Sequence, residues 1–508
     1  MNQGLSKFYK PLLAVLCLAL LFGSATIQQQ LNRDRDAMGL TRISPLENAP
    51  PILAFTTVAL GGFRGIIANA LWIRATELQE EDKYFEMVQL ADWITKLQPH
   101  FTTVWVHQAW NMAYNISIKF QDPHDRWLWV KRAIELLRDD ALRYNPNEPL
   151  LYRELGWFYQ HKMGHFLDDA HNSYKQYWAA EMDTVFTTQR PDFNELIHPS
   201  NPESAARAKR LREVYKIDPE FMQKVDTLYG PLEWRLPDGH AIYWATLGLE
   251  KTAKETLKKE DFITLRRIIF QSLQLAFHRG KLIYSKNGDR SSFVYGPNLE
   301  IVKQASDAYE EMADLETDKN QHILTGHRNF LGTAVYFLYT HNRMSAAKKW
   351  FDYLKQKYPV ETAKFIDLES YALARVTEDV GENDPNRVQA ILEGMLETSL
   401  VQYAMDDDEQ GLGFELFARK IWKRYADAIT DPSSQKRVAL PPIEQIKKLV
   451  LERVLSPDFG LDPILIAQLR TKLNLPPPSS EPAPIALAPE NSSGKTNALG
   501  TNSPALKP

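Results

Sequence analysis

The sequence predicts an all-α protein, and three observations lead to that fold class. Glycine is sparse, with 23 among 508 residues, and long stretches consist mainly of Ala, Leu, Glu, Lys, Gln and Arg, which have high helix propensity. Apolar residues recur at steps of three and four, the spacing of an amphipathic helix. Prolines such as Pro99 and Pro146 end one periodic run and precede the next, which is typical of successive helices.

Composition narrows the classes of function. A chain of 508 residues is too long to fold around one hydrophobic core of ordinary size, which indicates several domains or a repeat array. The net charge of −4 leaves no basic excess to neutralise phosphates, so nucleic-acid binding is not expected. Cys17 is the one cysteine in the sequence, which excludes an intrachain disulfide and a cysteine-based zinc or iron–sulfur site.

Residues 1–28 predict a signal anchor, that is, a single transmembrane helix. Lys7 and Lys10 precede an uncharged run from Pro11 to Ile27, close to the lower limit of the roughly 17–25 residues that span a bilayer. The lysines should stay in the cytoplasm and place the bulk of the chain outside it. A signal peptide cut near Ser24 is the alternative. We therefore expect a single-pass protein of the bacterial inner (cytoplasmic) membrane with its bulk extracytoplasmic.

Two further segments lead into the helical region. Residues 29–51 are predicted to be an extended linker, because they are polar and end in prolines, which disfavour helix. Residues Ile52 to Ile73 form a second apolar block, interrupted by glycines and by Arg64. An arginine in the middle of a span costs about 2.5–3.5 kcal/mol to insert. The favoured interpretation is a pair of buried or membrane-apposed helices, and a second membrane segment is the alternative.

The remaining chain divides into two helical blocks around an insertion. The N-terminal block covers residues 52–182 and the C-terminal block residues 241–475. Between them, residues 183–240 break the helical rhythm and predict an insertion with loops and short helices. Residues 476–508 are rich in Pro, Ser and Ala and cannot bury a core, so they predict a disordered tail.

Helical signatures of two kinds recur in the two blocks. One is a Leu-Gly pair in a helix, and the other is an alanine four residues before an aromatic residue in the next helix. They are Tyr152-x-x-Leu155-Gly156-x-x-Tyr159 with Ala170-x-x-x-Tyr174, Trp244-x-x-Leu247-Gly248, and Ala347-x-x-x-Phe351-x-x-Leu354-x-x-x-x-Pro359. They resemble the tetratricopeptide repeat (TPR). The resemblance implies stacked antiparallel helix pairs whose inner helices line a groove for a peptide or protein partner. Missing glycines and long turns make the predicted fold an irregular, TPR-like α-solenoid.

Six residues are candidates for partner binding, since aromatic rings with Arg and His stack on sugars or bind carboxylates. They are Trp105, Tyr152, Trp234, Arg235, His240 and Trp244. The favoured alternative for the cluster between residues 234 and 244 is a structural plug. In that alternative Trp234 packs between helices and Arg235 pairs with an acidic group.

Residues that ligate metals or catalyse reactions form no convincing motif. His161 and His165 are four residues apart, as on one helix face, with Asp168, Asp169 and His171 nearby. A glycine at position 164 should end the helix between them, and the glutamate of a metalloprotease motif is missing, so these histidines are interpreted as solvated turn residues. We find no phosphate-binding glycine loop and no nucleophile elbow. The sequence thus predicts no metal, no cofactor and no catalytic residue.

The function that follows is a membrane-anchored, extracytoplasmic helical-repeat scaffold, which binds a protein or peptide partner in the assembly of an envelope complex. The alternative is an all-α polysaccharide-active enzyme, a closed toroid with an aromatic cleft near Trp234 and Trp244. A weaker third possibility is a lipid- or peptide-binding module whose groove is closed by the insertion. The oligomeric state and the partner's identity do not follow from the sequence.

Overall fold

The computed structural model confirms an all-α protein. It describes residues 3–37, 63–81, 83–186, 188, 190–252, 258–284, 293–317, 320–377, 385–428, 440–456, 459 and 461–476. The predicted tail, apart from Pro476, lies outside the described residues, as do residues 38–51 of the predicted linker and residues 52–62 of the second apolar block.

The α-helices are numbered here in chain order. They are α1 (Gln3–Ala37), α2 (Phe63–Glu80), α3 (Tyr84–Leu97), α4 (Thr102–Trp110), α5 (Pro123–Glu135), α6 (Leu142–Tyr144), α7 (Pro149–Trp157), α8 (His171–Asp183), α9 (Phe193–Ile197), α10 (Pro202–Glu213), α11 (Pro219–Tyr229), α12 (Pro237–Lys251), α13 (Lys259–Arg279), α14 (Val302–Leu315), α15 (Asn320–Thr340), α16 (Met344–Lys357), α17 (Pro359–Thr362), α18 (Leu368–Thr377), α19 (Pro385–Ala404), α20 (Asp408–Ala428), α21 (Ile443–Val454) and α22 (Pro463–Lys472).

Other elements interrupt or extend these helices. Three π-helical segments follow α4, α5 and α7, and we call them π1 (Asn111–Ile116), π2 (Leu136–Ala141) and π3 (Phe158–Met163). Short 3₁₀ turns occupy Ser117–Lys119 and Leu299–Ile301. The strands β1 (Lys281–Tyr284) and β2 (Phe293–Gly296) pair antiparallel, with Lys281 opposite Gly296. This hairpin was not predicted from the sequence.

Helix starts follow the local sequence. The α5, α10 and α11 helices each begin with a proline, whose missing N–H costs nothing in the first turn. The residue before each proline caps the helix: Asp122 accepts from the backbone N–H of His124 at 2.7 Å, and Asn201 forms a reciprocal capping box with Ser204. The same Asx-Pro pattern therefore sets several of the helix boundaries.

Both helical blocks and the insertion contribute side chains to one main hydrophobic core. A single cluster of buried side chains extends from Trp105 in α4 to Leu469 in α22, and it includes Leu211 of the insertion. The contact between blocks is direct, because α12 packs against α7, and α13 packs against both. The insertion thus contributes the helices α9 to α11 to a shared interior.

Two of the signature glycines lie where these helices approach most closely. A Cβ atom on Gly248 of α12 would lie 2.6 Å from Cβ of Tyr152 in α7. A Cβ atom on Gly156 of α7 would lie 3.0 Å from Ile268 of α13. The Leu-Gly pairs therefore have a packing reason, since a side chain at either position would push two helices apart.

The N-terminal helix differs from the predicted boundaries. α1 continues beyond residue 28 to Ala37, because residues 29–37 contain neither glycine nor proline. Its described large apolar side chains are exposed, for example Leu18 and Phe22. Within the part of the chain that the structure describes, no helix combines the length and the apolarity required to cross a membrane. The side chains of residues 11–14, which begin the uncharged run, lie outside the described ones.

The described part of the second apolar block, residues 63–73, belongs to α2, which has one buried and one exposed apolar face. Ala68, Ala75 and Leu78 of α2 are buried against α3 and its neighbours. Ile66 and Ile73, two turns apart, are 66% and 62% exposed. The Arg64 side chain lies outside the described residues.

Candidate functional site

All six side chains predicted to bind a partner lie in the interior. Trp105 of α4 and Tyr152 of α7 are 5% and 4% exposed, and they make the same kind of contact. The Trp105 indole donates a hydrogen bond to the carbonyl of Pro99 at 2.9 Å, and the Tyr152 hydroxyl donates to the carbonyl of Pro146 at 2.6 Å. Each aromatic ties its helix to the proline turn that precedes it.

The cluster between residues 234 and 244 forms a buried plug. The Trp234 indole, fully buried, donates to Oδ1 of Asp226 at 3.0 Å. Arg235 donates through Nε and Nη2 to the two carboxylate oxygens of Glu233, both at 2.8 Å. Nε2 of His240 is 2.7 Å from the Trp234 carbonyl, and burial lowers the pKa of His240 to about 4.

The last of the six, Trp244 of α12, packs at the contact between the N-terminal and C-terminal blocks. Its ring stacks on Tyr152 with centroids 6.4 Å apart, and it is 2% exposed. A sugar or a partner chain would need an open ring face at this seam, and Trp234 and Trp244 have none. The structural alternative stated for this cluster accounts for the positions of these side chains.

A partly exposed line of stacked rings, which the sequence prediction missed, follows the ends of α4 and α7 and the segments π1 and π3. Trp110 stacks on Tyr114 with centroids 4.4 Å apart, and one pair further along Trp157 stacks on His161 at 4.4 Å. The Tyr114 hydroxyl is 3.0 Å from Nδ1 of His161, so the two stacks meet. Trp110 is 37% exposed. We call Trp110, Tyr114, Trp157 and His161 the aromatic face.

The aromatic face continues to the turn after π3. His165 lies 5.8 Å from His161 and 4.3 Å from Phe166, measured between ring centroids. Phe166 and its neighbour Leu167 are 69% and 65% exposed. Exposed apolar side chains next to partly buried rings are typical of an interaction surface.

A pocket of about 240 Å³ opens between the two tryptophans of the aromatic face, and α13 forms its far wall. It is lined by Trp110, Arg153, Glu154, Trp157, Thr264, Arg267, Ile268 and Gln271. We call it the groove pocket. Its volume suits one large side chain, and its walls combine apolar rings with charged groups, as ligand sites usually do.

Ion pairs hold the charged walls of the groove pocket in place. Glu154 accepts from the Trp110 indole at 2.6 Å and from Nε of Arg153 at 2.9 Å. Arg267 donates through Nε and Nη2 to both carboxylate oxygens of Glu316, at 3.1 Å and 2.6 Å. The pocket is therefore preorganised by side chains that already have partners within the protein.

The histidines of this region are partly buried. His161 and His171 lie in helical segments, which corrects the prediction that they are solvated turn residues, whereas His165 does lie in the turn after π3. Burial lowers the pKa of His161 and of His165. Asp168 ties down the same turn, accepting from Nη2 of Arg126 at 2.9 Å and from Nζ of Lys162 at 2.5 Å. Among the described residues, no group of three or more His, Cys, Asp or Glu side chains is arranged to hold a metal ion.

A buried set of charges lies between the aromatic face and the plug. Nζ of Lys175 is 2.6 Å from Nδ1 of His171, and burial lowers the pKa of Lys175 to about 7. Burial also raises the pKa of the Asp238 carboxyl, while the Arg279 guanidinium 3.6 Å away opposes the rise. These groups join α8, α12 and α13 through charges rather than apolar contacts.

Comparison with known proteins assigns no family to this site. No protein-family model matches the chain, and no curated protein is significantly similar to it.

Proposed function

We propose that this protein is a membrane-anchored, extracytoplasmic helical-repeat scaffold that binds a segment of a protein partner in the groove pocket. One observation carries the proposal: the tryptophans that end α4 and α7 in successive helix pairs flank one open pocket. The carboxylates of Glu154 and Glu316 hold two of its lining residues, Arg153 and Arg267, before any ligand arrives. Preorganisation of this kind lowers the entropic cost of binding.

The TPR-like helix arrangement that the sequence resemblance implies would serve the same function. Equivalent residues of two helix pairs, Tyr114 and His161, are 47 residues apart in the chain and meet on the aromatic face. In a helical repeat, neighbouring pairs expose equivalent surfaces side by side and create an extended binding face. The irregular α-solenoid proposed here places the groove pocket at the junction of two such pairs.

The N-terminus supports attachment to the bacterial inner membrane. The two lysines and the uncharged run that follows them fall within one helix, α1, and the large apolar side chains described in it are exposed. Exposed Ile66 and Ile73 on α2 fit a membrane-apposed surface. A cysteine placed at the exposed Glu300, in a Cys17→Ser background, should react with a membrane-impermeant maleimide in intact spheroplasts. Labelling only after lysis would contradict the topology.

Affinity capture from gently solubilised native membranes tests partner binding. The Gln271→Trp variant fills the groove pocket from its α13 wall, and the Gln223→Trp variant places the same bulk on the exposed surface of α11. We expect one protein to co-purify with the wild type and with Gln223→Trp, and to be lost from Gln271→Trp. Capture of the same proteins by all three, or of none, would overturn the proposal. Unchanged circular dichroism of both variants controls for folding.

A further inference from the structure

The hydrogen-bonding groups of the groove pocket are unequally divided between donors and acceptors. Its carboxylate, Glu154, uses one oxygen for the Trp110 indole and the other for Arg153. A second carboxylate, Glu316, does not line the pocket, but both of its oxygens are engaged by the lining residue Arg267. Both carboxylates are thus already engaged within the protein.

The donors are only partly used. Arg153 and Arg267 each bind their carboxylate through Nε and Nη2, so the Nη1 group of each guanidinium makes no hydrogen bond to the described part of the chain. Nη1 carries two N–H donors in a planar, permanently charged group. The Gln271 side chain likewise has no hydrogen-bond partner among the described residues. An occupant of the pocket therefore meets free donors and few free acceptors.

The apolar walls specify the other half of the ligand. Trp110, Trp157 and Ile268 surround a volume of about 240 Å³, enough for one aromatic or large aliphatic side chain. Indole rings in such a wall provide large contact areas at small entropic cost. A hydrocarbon-like side chain would fill the pocket, while groups beside it would reach the guanidinium edges.

From this division we infer that the groove pocket recognises a peptide segment with a bulky apolar side chain next to a carboxylate, either an Asp or Glu residue or a free C-terminus. The inference rests on the proposed function and names the chemistry of its partner. The apolar side chain lies between Trp110 and Trp157. The carboxylate accepts from Nη1 of Arg153 or of Arg267, and charge-assisted hydrogen bonds of this type are among the strongest in proteins.

Random dodecapeptides displayed on phage provide the probe, selected on the full-length protein in detergent. The expected enrichment is a bulky apolar residue within two positions of Asp, Glu or the C-terminus. The best peptide is then measured against a matched pair of variants at one position. Gln271→Glu places a negative charge four residues from Arg267 on α13, and Gln271→Lys places a positive charge there. We expect the first to weaken binding about three- to tenfold and the second to preserve or strengthen it.

The outcomes separate the inference from the proposed function. Two results would overturn the inference and leave partner binding at the pocket intact. In the first, the selected peptides fail to bind Gln271→Trp but bind Gln271→Glu and Gln271→Lys equally. In the second, the selected peptides are enriched in Lys and Arg. Failure to select any peptide, together with partner capture that does not depend on Gln271→Trp, would overturn both. A second selection on Gln223→Trp should return the wild-type motif.

Discussion

At the scale of single residues, the buried polar atoms of two aromatic side chains fix the angle at which α4 and α7 leave the turns before them. Trp105 and Tyr152 do this by donating to the carbonyls of Pro99 and Pro146, which lie in the turns two residues after α3 and α6 end. A ring with one polar atom suits this position, because its body fills the core while its tip satisfies the carbonyl.

Replacing Tyr152 by Phe removes that hydrogen bond and leaves the ring in place. We expect the free energy of unfolding to fall by about 1 kcal/mol, because the Pro146 carbonyl loses a buried donor. Tyr177→Phe is the matched control, since its hydroxyl makes no hydrogen bond to the described residues, and it should be nearly neutral. Urea unfolding measures both. Equal stability of Tyr152→Phe and wild type would argue against the tie.

Lys175 makes stability depend on pH. Its pKa is about 7 in the folded protein, because burial disfavours the charge and Arg279 adds repulsion, against 10.5 for an ordinary lysine. The folded protein therefore loses this proton near pH 7, whereas the unfolded chain keeps it until about pH 10.5. Since the unfolded state then binds more protons, stability rises with pH across that window, by at most about 1.4 kcal/mol per pH unit.

Lys175→Met removes this contribution. The difference in unfolding free energy between wild type and variant should therefore shift in favour of the wild type as pH rises from 7 to 10. The exposed Lys209→Met is the control and should show a constant difference from the wild type. Urea unfolding at several pH values measures the slopes, and parallel curves for wild type and Lys175→Met would refute the assignment.

At the scale of elements, part of the architecture was readable from the sequence and part was not. The all-α fold class and the Leu-Gly signatures were predictable from the residue types. Helix propensity, prolines between helices and glycines at close helix contacts each require particular residues. The π-helical segments π1 and π3 leave no comparable mark, and they follow directly after Trp110 and Trp157. The aromatic face was therefore missed, although Trp followed four residues later by a ring recurs in both helix pairs.

The buried state of the six predicted site residues illustrates the opposite limit. A sequence segment rich in Trp, Arg and His has the same composition whether it lines a cleft or fills a core. In both places the rings are packed and their polar atoms are hydrogen-bonded. Only the packing of α12 on α7 decides between them, and that contact joins residues about 90 positions apart. Sequence periodicity carries no information about such a pairing.

Gly248→Ala tests the contact between α12 and α7. The new Cβ would lie 2.6 Å from Cβ of Tyr152 and 3.2 Å from Leu265, so one helix must move. We expect a loss of about 1–3 kcal/mol in unfolding free energy. Gly394→Ala in α19 is the control, because its Cβ would meet nothing within 4 Å, and it should be neutral or stabilising by up to about 1 kcal/mol. Thermal unfolding compares the two, and similar effects would contradict the close approach.

At the scale of the whole molecule, the division into two blocks and an insertion is a feature of the sequence pattern more than of the core. One buried cluster includes side chains from all three, and the charged group at Lys175, Asp238 and Arg279 ties their helices together. Binding at the groove pocket, which is built from α4, α7 and α13, therefore involves both blocks. We expect a partner to raise the thermal stability of the entire described core rather than of one block.

The central claim is that a partner occupies the groove pocket in the native membrane. A photoreactive benzoylphenylalanine at Thr264, which lines the pocket, tests it most directly against the same probe at Thr227 on α11. The two threonines are a matched pair, because each donates its hydroxyl to a backbone carbonyl of its own helix. Irradiation should join a distinct protein to position 264 and none to position 227. The same products from both positions, or no product from position 264, would contradict the account.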